Sequence, residues 1–84
     1  MVAKYVAPPE RLAAFPSAAR ARVKTPFPGG LRARWKDEAG RIYEWDYRHG
    51  TVEAYSPSGR HLGEFDPRSG VRTKPPRRNR TIEP

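Results

Sequence analysis

The sequence predicts a mainly β protein: a single small domain built on a strongly curved antiparallel meander, with a short helix near its N-terminus. Three observations carry this prediction. Between residues 31 and 74, short runs rich in Ile, Val, Tyr, Trp and Phe alternate with turn signals at a spacing of roughly ten residues. Eight of the ten prolines lie outside residues 31–70, so regular sheet is not expected in the flanks. A chain of 84 residues has room for one modest core and no second domain.

The elements follow in order. Residues 1–30 read as a basic, proline-rich arm. In it Pro8-Pro9 starts, and Pro16 stops, a one- or two-turn helix over Glu10 to Phe15. Leu12 and Phe15, three apart, would share the face that packs on the sheet. Pro26 to Gly30 reads as a linker. In the first strand Leu31, Ala33 and Trp35 alternate with Arg32, Arg34 and Lys36. Asp37 to Gly40 turns the chain into a second strand, Arg41 to Tyr47, and Arg48-His49-Gly50 turns it into a third, Thr51 to Tyr55. Ser56 to Gly59 leads to a fourth strand, Arg60 to Phe65. Asp66 to Gly70 leads to a shorter fifth, Val71 to Lys74. The expected organisation is an arm at 1–30, a sheet body at 31–74 and a basic tail at 75–84. Trp35, Tyr43, Trp45 and Phe65 are the expected core.

Charge narrows the function classes. Lys and Arg number 17 against 9 Asp and Glu, a formal charge of +8 and a pI near 10.6. Residues 1–30 carry +4, residues 31–70 balance seven bases against seven acids, and residues 71–84 carry +4 again. A neutral body between two cationic flanks implies a polyanionic partner, most simply nucleic acid. With no Cys, thiolate metal sites, disulfides and cysteine nucleophiles are excluded. With two His, no metal or other cofactor is expected. No apolar run approaches the ~20 residues of a membrane span.

If His49-Gly50 form a two-residue loop, Asp46 faces Glu53 and Glu44 faces Tyr55 across the second hairpin. Paired carboxylates beside an imidazole and a basic surface suit ribonuclease chemistry. RNA carries its own nucleophile, the 2′-OH, so only a base, an acid and a cation for the developing charge are required. Arg32, Arg34, Lys36, Arg48, Lys74, Arg77 and Arg80 are the candidate phosphate contacts, and Tyr47 and Tyr55 the candidate stacking residues. His61 reads as a strand residue with no special role. The same residues are also compatible with a surface ion-pair patch, a non-catalytic RNA- or ribosome-binding module, or a protein–protein module. The acidic pair discriminates, because a binding-only protein gains nothing from aiming carboxylates at phosphate.

Arg34-Trp35, the run Arg41-Ile42-Tyr43-Glu44-Trp45-Asp46, His49-Gly50, Glu53, Tyr55, Gly59, His61-Leu62-Gly63 and Phe65-Asp66-Pro67 together resemble the colicin/cloacin-type cytotoxic ribonuclease domain. The likeness runs from about Gly29 to Asn79. Members of that family cut small-subunit ribosomal RNA at the decoding site and thereby halt translation. The resemblance implies metal-independent transesterification that leaves a 2′,3′-cyclic phosphate. Glu53 would be the general base, His49 the general acid, and Asp46 the group that orients and charges His49. Arg78, before Asn79, would be the transition-state clamp, with Arg77 and Arg80 as alternatives. It also implies two partners, the small ribosomal subunit and a small acidic immunity protein, and a monomer as the default state. The expected place of synthesis and action is the cytoplasm, with delivery to other cells if the domain is part of a larger toxin. The long translocation and receptor-binding regions of colicins are not in this sequence, which fits either an excised domain or a free-standing toxin.

Overall fold

The computed structural model describes residues 5–84; Lys4, counted above in the basic arm, lies outside them. Among the described residues eight strands form: β1 (Ala19–Ala21), β2 (Pro26–Phe27), β3 (Gly30–Leu31), β4 (Arg34–Lys36), β5 (Ile42–Asp46), β6 (Thr51–Tyr55), β7 (His61–Phe65) and β8 (Arg72–Lys74). Six make one open antiparallel sheet in the order β1-β4-β5-β6-β7-β8, and β2 pairs with β3 as a separate small hairpin. From β4 to β8 the chain is the expected meander. Each connection is a turn with a positive-φ glycine at its end, Gly40, Gly50, Gly59 and Gly70.

Residues 1–30 differ from expectation twice. No helix forms among the described residues. Instead Phe15 N–H bonds the Leu12 carbonyl at 3.0 Å and Ala18 N–H bonds the Phe15 carbonyl at 2.9 Å, giving two successive tight turns. Pro16 explains this, since it excludes the α conformation at Phe15 and leaves too few residues to nucleate a helix. The arm also supplies an edge strand. Ala19–Ala21 pairs with Lys36–Arg34, in a proline-free stretch between Pro16 and Pro26. The predicted first strand splits as well. Leu31 belongs to the β2–β3 hairpin, and regular pairing resumes only at Arg34.

The two faces of the sheet differ. One carries Trp35, Tyr43, Trp45, Val52 and Ala54, covered by Leu12 and Ala18 and flanked by Phe15 and Phe65. Leu12 and Phe15 therefore pack as their spacing predicts, without a helix. The Phe15 ring lies 4.6 Å from that of Tyr43 and meets Phe65 edge-on. Two indole N–H groups donate to arm carbonyls, Trp35 to Glu10 and Trp45 to Val6, so the arm closes this face with its polar groups paired. The opposite face carries the ionisable residues.

Candidate active site

Directly opposed residues of an antiparallel sheet project to one side, so register decides which charges meet. Here it aligns Arg34, Glu44, Glu53, Glu64 and Lys74 in one row across five adjacent strands. The three glutamates are all at least nine-tenths buried, an arrangement that repels itself unless cations intervene. Arg34 neutralises Glu44, with Nε at 3.0 Å and Nη2 at 2.8 Å from Oε2, and Thr25 Oγ1 donates to the same oxygen at 2.7 Å. Glu64 accepts from Thr73 Oγ1 at 2.6 Å and has Lys74 Nζ at 3.6 Å. Burial pushes the Glu64 carboxyl upward, but the Thr73 hydroxyl and the Lys74 ammonium outweigh it and hold it below the ordinary glutamate value.

The middle carboxylate, Glu53, has glutamates rather than cations on both sides of it in the row. Its partners come from β7 and the tail. His61 Nε2 lies 2.7 Å from Glu53 Oε1, and Arg80 Nη1 lies 3.6 Å from the same oxygen. The backbone N–H of Arg77 points at His61 Nδ1 at 2.9 Å. A backbone amide can only donate, so Nδ1 is the acceptor and His61 donates its Nε2–H to Glu53. Glu53 Oε2 has no hydrogen bond among the described residues and is not among the sealed polar atoms, so it is open to the cleft.

The β5–β6 turn supplies the other two groups. The expected two-residue loop does not form: Asp46 pairs with Thr51, and Tyr47 to Gly50 make a four-residue loop closed by Gly50 N–H on the Asp46 carbonyl at 2.8 Å. Asp46 Oδ1 itself caps that loop, accepting the N–H groups of Arg48 and His49. The longer loop shifts the register by two residues. Glu44, not Asp46, faces Glu53, and Tyr55 faces Ile42. Asp46 is the diagonal neighbour of Glu53 on the same face, roughly 7–8 Å away. Its Oδ2 holds His49 Nδ1 at 2.8 Å while the imidazole remains half-exposed. Burial raises the Asp46 carboxyl, but the His49 ring and the two turn amides outweigh it and hold it below the ordinary aspartate value.

These groups share one cleft of about 530 Å³, lined by Asp46, His49 and Glu53 among acids and imidazole, with Arg32, Arg48, Lys74 and Arg80 as cations. Tyr47 also lines it. Five other candidates lie elsewhere. Arg34 is buried in its ion pair with Glu44 and is not free for phosphate. Tyr55 is 1% exposed, and its hydroxyl accepts from Arg80 Nε at 2.9 Å, so it braces the Arg80 guanidinium and cannot stack a base. Lys36 is exposed but sits in the Ile42 row, outside the cleft. Arg77 and Arg78 line an outer groove with Arg60, and the guanidinium that reaches Glu53 is that of Arg80. Two residues that contact or adjoin Glu53 have no place in the sequence reading of the site, His61 and Glu64. Their positions opposite Tyr55 and Glu53 depend on the β6–β7 register, which a bulge between Ala54 and Tyr55 shifts.

Among the described residues, one group of potential metal donors occurs. Single ligand atoms of Asp46, His49 and Glu64 lie within 4.8 Å of one another. Asp46 Oδ2 and His49 Nδ1 are bonded to each other and Glu64 Oε1 accepts from Thr73, while Glu64 Oε2 is buried without a hydrogen-bond partner.

An open sheet that buries one face beneath an N-terminal arm, and sets an acid–imidazole–acid group in a cationic cleft on the other, defines a small β domain with one polar, cation-rimmed candidate site. The family model described as Cytotoxic matches residues 6–83, and the chain belongs to that colicin-type cytotoxic family. Colicin E3 and colicin E6 of Escherichia coli are each 51% identical to it over 57 residues, and cloacin of the same species is equally similar. The aligned stretch is 66% of this chain and 10% of each relative, so the chain matches about a tenth of their length.

Proposed function

We propose that this domain is an endoribonuclease toxin that cleaves small-subunit ribosomal RNA at the decoding site by metal-independent transesterification. The observation that carries the reading is the cleft itself, in which a hydrogen-bonded Asp46–His49 pair, a half-free Glu53 carboxylate and the Arg80 guanidinium face one space. Membership of the colicin-type family supports the toxin class.

In this reading Glu53 Oε2 removes the 2′-OH proton, and the resulting alkoxide attacks the adjacent phosphorus. His49 gives its proton to the departing 5′-oxygen, leaving a 2′,3′-cyclic phosphate and a free 5′-OH. Asp46 holds His49 through Nδ1, so that Nε2 is the atom presented to the leaving group. Charge accumulates on the non-bridging oxygens, and Arg80 lies beside the base where that charge develops. Arg80 thus takes the role that the sequence resemblance implied for Arg78. His61 holds Glu53 through Oε1 and directs Oε2 outward. The partners are the small ribosomal subunit and a small acidic immunity protein, which a +8 surface would attract under strong electrostatic steering. The chain acts as a monomer in the cytoplasm.

The test is incubation of purified ribosomes with the wild-type chain, Glu53→Gln and His49→Ala in EDTA. One specific small-subunit RNA fragment, ending in a cyclic phosphate, is expected from wild type. Each variant should be slowed by at least about 10²-fold. Folded wild type that cuts neither ribosomes nor free RNA would overturn the reading.

A further inference from the structure

The aromatic residues beside the cleft lie outside the fully buried core, though half-buried Tyr47 packs against its edge. Phe27, on the β2–β3 hairpin, stacks on Tyr47 of the β5–β6 loop with ring centroids 4.4 Å apart and planes 8° from parallel. Tyr5 stands across both rings, 6.2 Å from Phe27 and 6.3 Å from Tyr47, at nearly 60°. Leu31 completes an apolar recess of about 360 Å³. Tyr5 is 56% exposed and Leu31 49%, so burial does not account for this surface.

Its surroundings specify an occupant. Tyr5 and Tyr47 line both the recess and the catalytic cleft, so the two are continuous. Arg32, also in the cleft, lies over the Phe27 ring at 5.4 Å and donates to the Trp45 carbonyl at 2.9 Å, which fixes a cation between them. An apolar recess one step from a phosphate-binding cleft, with an arginine at the junction, matches the alternation of base and phosphate along an unpaired RNA strand. A protein partner would need no such coincidence with the catalytic groups.

We infer that Tyr5, Phe27, Leu31 and Tyr47 form a nucleobase subsite that receives an unpaired base next to the scissile phosphodiester, with Arg32 holding the intervening phosphate. This inference rests on the ribonuclease reading and deepens it. The subsite is made by the flap (β2–β3) and the catalytic loop together, so an occupant would fix the loop that carries His49. Stacking on π-faces tolerates any base, so the recess contributes grip and register rather than sequence choice.

The experiment measures binding separately from cleavage. The affinity of a fluorescein-labelled single-stranded hexaribonucleotide for the full chain is read by anisotropy at several salt concentrations, in a Glu53→Gln background that cannot turn over. Tyr5 and Leu31 are exposed, so Tyr5→Ala and Leu31→Ala should leave the fold intact, as circular dichroism would verify. Each is expected to weaken binding, Tyr5→Ala by about 5- to 100-fold, without altering the slope of log Kd on log salt. Arg32→Gln should weaken binding and flatten that slope by about 0.7. The losses from Tyr5→Ala should also vanish with a hexamer that is abasic beside the target phosphate. Unchanged affinity in both aromatic-patch variants, or no measurable binding by the parent, overturns the subsite and leaves the recess to a protein partner. Either result can occur while wild type still cuts ribosomes, so failure of the subsite is distinct from failure of the ribonuclease reading.

Discussion

Asp46 and Asp37 are both turn-capping aspartates, and their surroundings send them to different tasks. Asp46 caps the β5–β6 loop with one oxygen and uses the other on an imidazole that remains half-exposed. Asp37 spends both oxygens on structure. Its Oδ1 accepts from Ala39 and Arg41 N–H, and its Oδ2 accepts from Arg41 Nε and the Tyr43 hydroxyl, with the side chain almost fully buried. Burial raises the Asp37 carboxyl, but the Tyr43 hydroxyl and the Arg41 groups outweigh it and lower the net value. The same contact and the same burial push the Tyr43 phenol up to about 12. A depressed carboxyl favours the folded state wherever the unfolded chain would bind the proton more tightly. That stabilisation is complete above the ordinary aspartate range, near pH 4, and is lost as pH falls through the lower folded value. Asp37→Asn should therefore cost about 1–3 kcal/mol at pH 7, and the difference from wild type should narrow below pH 3. Urea midpoints at the two pH values would check it; a gap that stays constant would contradict the assignment.

At the scale of elements, the tail builds part of the candidate site, since Arg80 lines the cleft beside Glu53. The Arg80 carbonyl accepts the N–H of His61, Ile82 N–H bonds the Gly59 carbonyl, and Arg34 Nη2 donates to the Glu83 carbonyl at 2.8 Å. These bonds lay residues 80–83 across the β6–β7 turn and carry Arg80 to Glu53. Gly59 makes the approach possible. Its φ is +90°, and a Cβ there would collide with the Ile82 carbonyl oxygen. Gly59→Ala should free the tail while the meander survives, because β6 and β7 are joined by their own ladder. The expected result is a drop in cleavage of about 10²-fold, with unchanged far-UV circular dichroism and new trypsin sensitivity at Arg77, Arg78 and Arg80. Full activity would show that Arg80 is dispensable. The contrast between strands and tail also explains what the sequence made legible. Turn residues and alternating aromatics mark β5, β6 and β7 without reference to anything distant. The register, the burial of Arg34 and the choice among Arg77, Arg78 and Arg80 are set by a four-residue loop, a bulge and hydrogen bonds spanning up to 49 residues. No local pattern reports those. Asp46 and Glu53 share a face in either register because the shift is two residues, and His49 lies in the loop between them in both.

Over the whole molecule, the +8 charge divides between holding the protein together and holding its substrate. Arg34 and Arg41 are committed to Glu44 and Asp37, and Lys24 to Glu83 and the Pro84 carbonyl. Arg32, Arg48, Lys74 and Arg80 remain around the cleft, while Arg60, Arg77 and Arg78 line the adjoining groove. Cations that meet a polyanion release its condensed counterions, so their number can be read from salt dependence. If the four cleft cations are the phosphate contacts, log(kcat/KM) for RNA cleavage should fall with log salt at a slope of roughly −3. The slope should be steeper if the groove arginines also engage. The first-order step within the bound complex should change little, because its groups are already in place in the cleft. Neutralising Arg60, Arg77 and Arg78 together distinguishes the two cases. A slope that flattens by roughly 2 assigns the groove to the RNA path, whereas an unchanged slope confines recognition to the cleft. A slope near zero for wild type would mean that the excess charge serves some partner other than nucleic acid.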